Sequence, residues 1–100
     1  MNKAAPSKDF RIDLHGAFLR RTDLSSASLR RANLAGADFT NAVFRNADFE
    51  GAILDGTILR GADLTGAKNL SLPQLRKAVL DETTKLPEGL SISKVREGQP

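Results

Sequence analysis

From Leu14 onward, every fifth residue is large and apolar: Leu14, Leu19, Leu24, Leu29, Leu34, Phe39, Phe44, Phe49, Leu54, Leu59 and Leu64, eleven positions without a miss. Two residues before each stands Ile12, Ala17, Thr22, Ala27, Ala32, Ala37, Ala42, Ala47, Ala52, Thr57 and Ala62, eight of them Ala. A helix buries residues three and four apart, and a single strand buries every second one, so neither builds a core from this pattern. A period of five fits a chain that turns a corner every five residues. Each side of the turn then sends one bulky and one compact side chain inward. The eleven Leu and Phe residues are the expected core.

The corners can be read as well. Two residues after the large one come Gly16, Gly36, Gly51, Gly56, Gly61 and Gly66, with Asn41, Asn46, Ser26, Arg21 and Arg31 at the other places. Gly and Asn accept tight turns and positive φ, which a repeated corner demands. Large, small and corner columns agree on one geometry, and such agreement across levels marks a sequence that specifies its fold.

These columns, with stretches such as Ala37-Asp38-Phe39-Thr40-Asn41 and Ala62-Asp63-Leu64-Thr65-Gly66, resemble the pentapeptide-repeat family. The resemblance spans about residues 12–68. It implies an all-β solenoid: a right-handed, four-sided parallel β-helix with four repeats per coil, here just under three coils. Phe39, Phe44 and Phe49 would then share the middle coil with Leu34, where the bulkiest rungs have neighbours above and below.

Open coil ends expose unpaired backbone, so a short stack needs caps. The frame breaks after Ala67, at Lys68-Asn69-Leu70. Ser71 and Gln74 form a capping-box pattern with Pro73 in the first turn, and Leu72, Leu75, Val79 and Leu80 follow at helical spacing. This predicts a short α-helix over about 72–80, laid on the last coil. Residues 75–90 resemble the helix and return loop that follow the repeats in many bacterial members of the family. Phe10 and Ile12 are the expected plug at the other end. The chain thus divides into a flexible N-terminal segment (1–9), the repeat helix (10–68), a helix-and-loop cap (69–91) and a flexible tail (92–100).

Composition narrows the function. The chain has no Cys, which removes disulfides and thiolate metal sites. No apolar run is long enough to span a bilayer, and no apolar stretch follows Lys3 and Lys8, so a cytoplasmic protein is expected. The net charge of +3 sits in the flanks. Between Ile12 and Gly66 stand seven acids (Asp13, Asp23, Asp38, Asp48, Glu50, Asp55, Asp63) and six bases (Arg20, Arg21, Arg30, Arg31, Arg45, Arg60). That near-neutral body and the scarcity of outward aromatics argue against nucleic acid as a partner.

No residue set invites catalysis. His15 with Asp13 makes two ligands and no third, and Ser25, Ser26 and Ser28 lack a nearby base. No enzyme, metal or cofactor is expected. With coils of twenty residues, outward neighbours stack twenty apart, so Arg30 should meet Glu50, and Arg20, Thr40 and Arg60 should form one column beside Arg21. Phe18, Val43, Ile53 and Ile58 point outward just before a large residue. The candidate partner contacts are therefore Phe18, Arg20, Arg21, Ile53, Ile58 and Arg60, with packing beneath the C-terminal segment as the competing role for Ile53 and Ile58.

The expected function is a non-catalytic scaffold or protein-binding module, with a homodimer among its possible assemblies. The alternative implied by the family is a DNA-mimicking modulator of a type II topoisomerase. That role calls for a long acidic surface, which this body lacks.

Overall fold

The computed structural model describes residues 11–97. Its body is a four-sided tube with one pentapeptide per side. Parallel bridges join Asp13 to Asn33, Phe18 to Asp38, Asp23 to Val43 and Ser28 to Asp48, and the same four ladders continue to Ile53, Ile58, Asp63 and Lys68. The constant step of twenty residues is four repeats per coil. Side 1 therefore carries Asp13, Asn33 and Ile53; side 2 Phe18, Asp38 and Ile58; side 3 Asp23, Val43 and Asp63; side 4 Ser28, Asp48 and Lys68.

Each side makes the same bonds. Leu14 N–H donates to Asn33 C=O at 2.8 Å, and Asn33 N–H donates to Ile12 C=O at 2.8 Å. The outward residue thus faces the previous coil with both of its backbone groups. The small residue's carbonyl and the large residue's N–H face the next coil. At the corners a turn closes from the large residue to the next small one, as in Ala17 N–H to Leu14 C=O at 3.0 Å. Its third residue has φ between 60° and 70°, the left-handed region that a type II turn requires. Arg21, Ser26, Arg31, Asn41 and Asn46 adopt it as well as glycine does. Gly61 has a further reason to be glycine, because a Cβ there would meet the Asn41 side chain of the coil below.

The core follows the predicted columns. Leu29, Leu34, Phe39, Phe44, Phe49, Leu54, Leu59 and Leu64 are buried, and the Ala column is sealed from Ala32 to Ala67. Phe39 meets Phe44 edge-on at 4.9 Å between ring centroids, and Phe44 meets Phe49 at 5.3 Å, within the range that favours aromatic pairs. Thr57 occupies a small position without penalty, since its hydroxyl donates to Leu34 C=O at 2.7 Å. Leu14, Leu19 and Leu24 are only half-buried, because no described coil lies beyond them. Ile12 packs against the core as expected. Phe10 and the proposed flexible segment 1–9 lie outside the described residues.

The C-terminal end departs from expectation in three places. Lys68 does not break the frame: it pairs with Asp48, and the break comes at Asn69, where the register calls for a large apolar residue. The helix α1 spans Leu72–Lys77 and is shorter than predicted. It has the full capping box between Ser71 and Gln74, and it buries Leu75. It stops because the ladder outcompetes another helical turn: Val79 N–H donates to Thr57 C=O, and Leu59 N–H donates to Val79 C=O, both at 2.8 Å. Lys85 extends side 3 in the same way, against Asp63.

The third departure is the tail. Residues 92–97 are not loose but form a second helix, α2 (Ile92–Glu97), which buries Val95. Arg76 of α1 holds its C-terminal end, donating to Val95 C=O at 3.0 Å and Lys94 C=O at 3.2 Å. Positive charge at the terminal carbonyls suits a helix C-terminus.

The rung ranking is testable by urea unfolding. Phe44→Ala, in the sealed middle coil, is expected to cost about 3–5 kcal/mol. Leu14→Ala, on the open first coil, should cost distinctly less. The reverse order would contradict the burial pattern.

Candidate functional surface

The outward column is dominated by Asp and Asn for a structural reason. Each carboxylate or amide oxygen accepts the backbone N–H two residues on, at the corner: Asp13 from His15, Asp23 from Ser25, Asn33 from Ala35, Asp38 from Thr40, Asp48 from Glu50 and Asp63 from Thr65, all at 3.0–3.1 Å. This is an Asx-type bond that secures the turn. Where Thr follows at the corner, its hydroxyl donates to the same oxygen, as Thr40 does to Asp38 at 2.6 Å.

Arginines from the coil below complete the arrangement along a diagonal. Arg20 reaches Asp38 at 2.8 Å, Arg45 reaches Asp63 at 2.8 Å, and Arg30 reaches Asp48 at 3.2 Å and Glu50 at 2.7 Å. The Arg30–Glu50 contact is the one expected from stacking. The diagonal contacts to Asp were not. They arise because the corner arginine and the following coil's strand centre are eighteen residues apart and lean toward each other.

These contacts hold the acids down. The Thr40 hydroxyl, then Arg20, keep the Asp38 carboxyl at about 2, and the Thr65 hydroxyl leads the same shift for Asp63, also to about 2. Asp48 is lowered first by the Asn69 amide, and Asp13 first by His15.

The six candidate contact residues consequently differ. Arg20 is already engaged by Asp38, and Thr40 in its column is too. Arg21 and Arg60 are exposed and have no carboxylate partner among the described residues. Phe18 is 88% exposed and Ile53 is 44% exposed, the two exposed large apolar side chains among the described residues. Ile58 is half-buried, and its strand is covered at the C-terminal edge by Val79. Phe18 and Ile58 share side 2 but are separated by Asp38, so they form no continuous patch. Ile53 borders a shallow cleft with Pro73, Gln74 and Lys77, on one of the two sides of the third coil that the C-terminal segment does not extend.

Gln74 was legible only as a helix cap, yet it has a second role. Its amide donates to Phe49 C=O at 2.9 Å and Ala52 C=O at 3.0 Å, in place of the absent strand. His15 and Asp13 meet at 2.7 Å, both exposed. Among the described residues no group of three His, Cys, Asp or Glu side chains could hold a metal ion, and no helix is long and apolar enough to cross a membrane.

The depressed acids predict a pH response with a definite sign. A carboxylate whose folded pKa lies near 2 contributes stability that is present above its unfolded pKa, about 4, and that is lost as pH falls toward 2. The Asp38→Asn, Asp63→Asn double variant keeps the turn bond, as Asn33 does, but cannot titrate. Its melting temperature should fall less between pH 5 and pH 2 than that of the parent chain; equal falls would count against this assignment.

The comparisons with known proteins converge. A family profile described as pentapeptide repeats matches residues 10–46 and 42–81, eight copies in all. Among solved structures, the pentapeptide repeat protein Rfr23 from the cyanobacterium Cyanothece 51142 is 34% identical, with a TM-score of 0.67 over 77% of this chain and 52% of that one. HetL, a pentapeptide repeat protein involved in heterocyst differentiation regulation from Nostoc sp. strain PCC 7120, is 31% identical over 85% of this chain and 45% of that one, with a TM-score of 0.36. The chain thus spans about half the length of these structures. No curated protein matches the sequence. Eight matched repeats, the Rfr23 likeness and the twenty-residue ladder agree on the right-handed quadrilateral β-helix. The chain belongs to the pentapeptide-repeat family.

Proposed function

We propose that the chain is a non-catalytic protein-binding module, a rigid prism whose outer walls present contacts to another protein. The observation that carries this reading is the division of the surface. Four of the body's seven acids and three of its six arginines are consumed by the wall itself, in the Asp38–Arg20, Asp48–Arg30–Glu50 and Asp63–Arg45 contacts. Among the groups that stay exposed are two apolar and two cationic side chains, Phe18, Ile53, Arg21 and Arg60. Aromatic, aliphatic and Arg side chains of this kind are what protein interfaces concentrate at their centres.

Rigidity supports the same reading. Contacts mounted on a hydrogen-bonded tube lose little conformational freedom when a partner binds. The pairing of the acids also counts against a DNA-mimicking role at a type II topoisomerase, because each paired carboxylate is offset by a neighbouring guanidinium. Electrostatic mimicry of a duplex needs an unbroken run of negative charge.

The reading is tested by presenting the immobilised chain to a lysate of its host, beside variants carrying Phe18→Ser with Ile53→Ser, or Arg21→Ala with Arg60→Ala. A protein retained in stoichiometric amount by the parent, and reduced at least tenfold by one of the two variants, is the expected result. Retention that survives both pairs of substitutions would place the contact elsewhere and overturn the surface. Inhibition of topoisomerase supercoiling by the purified chain would restore the mimic.

A further inference from the structure

The two ends of the tube are not alike. At the C-terminal end the ladder is continued by Val79 on side 2 and Lys85 on side 3, while Gln74 bonds the carbonyls at the corner and on side 1. At the N-terminal end nothing among the described residues does this. The N–H and C=O of Asp13, Phe18, Asp23 and Ser28 all face away from the tube and have no backbone partner among the described residues. Inside that ring Leu14, Leu19 and Leu24 are half-exposed, and Phe18 stands almost fully exposed on its rim.

We propose that this end docks against the same end of a second copy, forming a two-fold, end-to-end dimer. The hydrogen-bond pattern of this end is self-complementary. On every side a single residue presents both its donor and its acceptor. Two residues that each offer both groups satisfy one another in the hydrogen-bonded pair of an antiparallel ladder. A second tube turned end for end supplies four such residues, spaced on the same square. The C-terminal end is the poorer partner, since Val79 and Lys85 already extend sides 2 and 3, and only sides 1 and 4 lack a further bridge. The sequence upstream of Arg11 offers Asp9 where the register calls for Leu or Phe, and Phe10 is one place out of phase.

Phe18 selects the orientation. A two-fold axis through the middle of sides 2 and 4 sets Phe18 against Phe18 of the second copy and Ser28 against its counterpart, with Asp13 opposite Asp23. Other axes set Phe18 against Asp13, Asp23 or Ser28. Self-pairing buries both phenyl rings as a cross-strand aromatic pair, and it stacks Leu19 on Leu19 and Leu14 on Leu24. Each opposed aspartate has a base diagonally across from it, Arg21 for Asp13 and Arg11 for Asp23. An interface of this kind is isologous and closes at two copies.

The full chain should sediment as a dimer at tens of micromolar. Phe18→Asp should weaken the dimer at least tenfold while leaving the far-ultraviolet circular dichroism unchanged. Ile53→Asp, on the third coil, should leave it intact. Because the chain has no Cys, Ser28→Cys introduces a single thiol. A hydrogen-bonded antiparallel pair has its Cα atoms about 5.5 Å apart, within disulfide reach. Mild oxidation should therefore link Ser28→Cys chains into covalent dimers, whereas Lys68→Cys, on the same side two coils away, should not cross-link. A chain that sediments as a strict monomer, as it would if its own first residues or another protein's strand were the occupant, overturns the proposal. So does a dimer broken by Ile53→Asp and not by Phe18→Asp, or one in which Lys68→Cys cross-links and Ser28→Cys does not.

Discussion

The backbone pairing of residues twenty apart carries the whole structure. Every side of the tube has one strand centre per coil, too short to stand alone, and it is held only by the strands above and below it. That arrangement works because the wall passes close to the axis at the Ala positions and leaves the centre for Leu and Phe. A larger side chain in the Ala column would push the wall outward and break the spacing. Thr57 is the instructive exception: it fits because its hydroxyl finds Leu34 C=O. The core and the ladder are therefore one constraint, since neither the side-chain packing nor the backbone bonds can be satisfied without the other.

The outer wall obeys the same economy. An Asp at the strand centre accepts the corner N–H two residues on, and an Arg from the coil below closes over it. Charged residues that count as surface in a composition are here parts of the turn. This changes how the surface is read for function. Much of the near balance of acids and bases is a set of local pairs, and the exposed groups beside them include two apolar residues, Phe18 and Ile53, and two arginines, Arg21 and Arg60.

The C-terminal cap shows how a solenoid ends. Its segment alternates helix and strand because two demands compete: α1 must lay Leu75 over the last coil, and the bare strands of sides 2 and 3 must be paired. Val79 and Lys85 meet the second demand at steps of 21 and 22 residues rather than 20, the extra residues being taken up by α1 and the loop. A repeat count cannot foresee such offsets. Nor could periodicity reveal α2. Six residues with Ile92 and Val95 as their apolar members are too short to be helical alone, and the helix exists because Val95 finds a pocket and Arg76 grips its last carbonyls.

By itself the sequence determined the period, the inward columns, the corner residues, the capping box and the outward placement of Phe18 and Ile53, because each depends on spacing along the chain. The tertiary structure decided what depends on neighbours between coils: that Arg20, Arg30 and Arg45 lean diagonally onto Asp38, Asp48 and Asp63, that Gln74 stands in for a missing strand, that the helix yields to the ladder at Ala78, and that Val79 and Lys85 extend the ladder at one end of the tube. A side chain's direction can be read from its own repeat. Its partner is set by the coil above or below, and that contact exists only once the tube has closed.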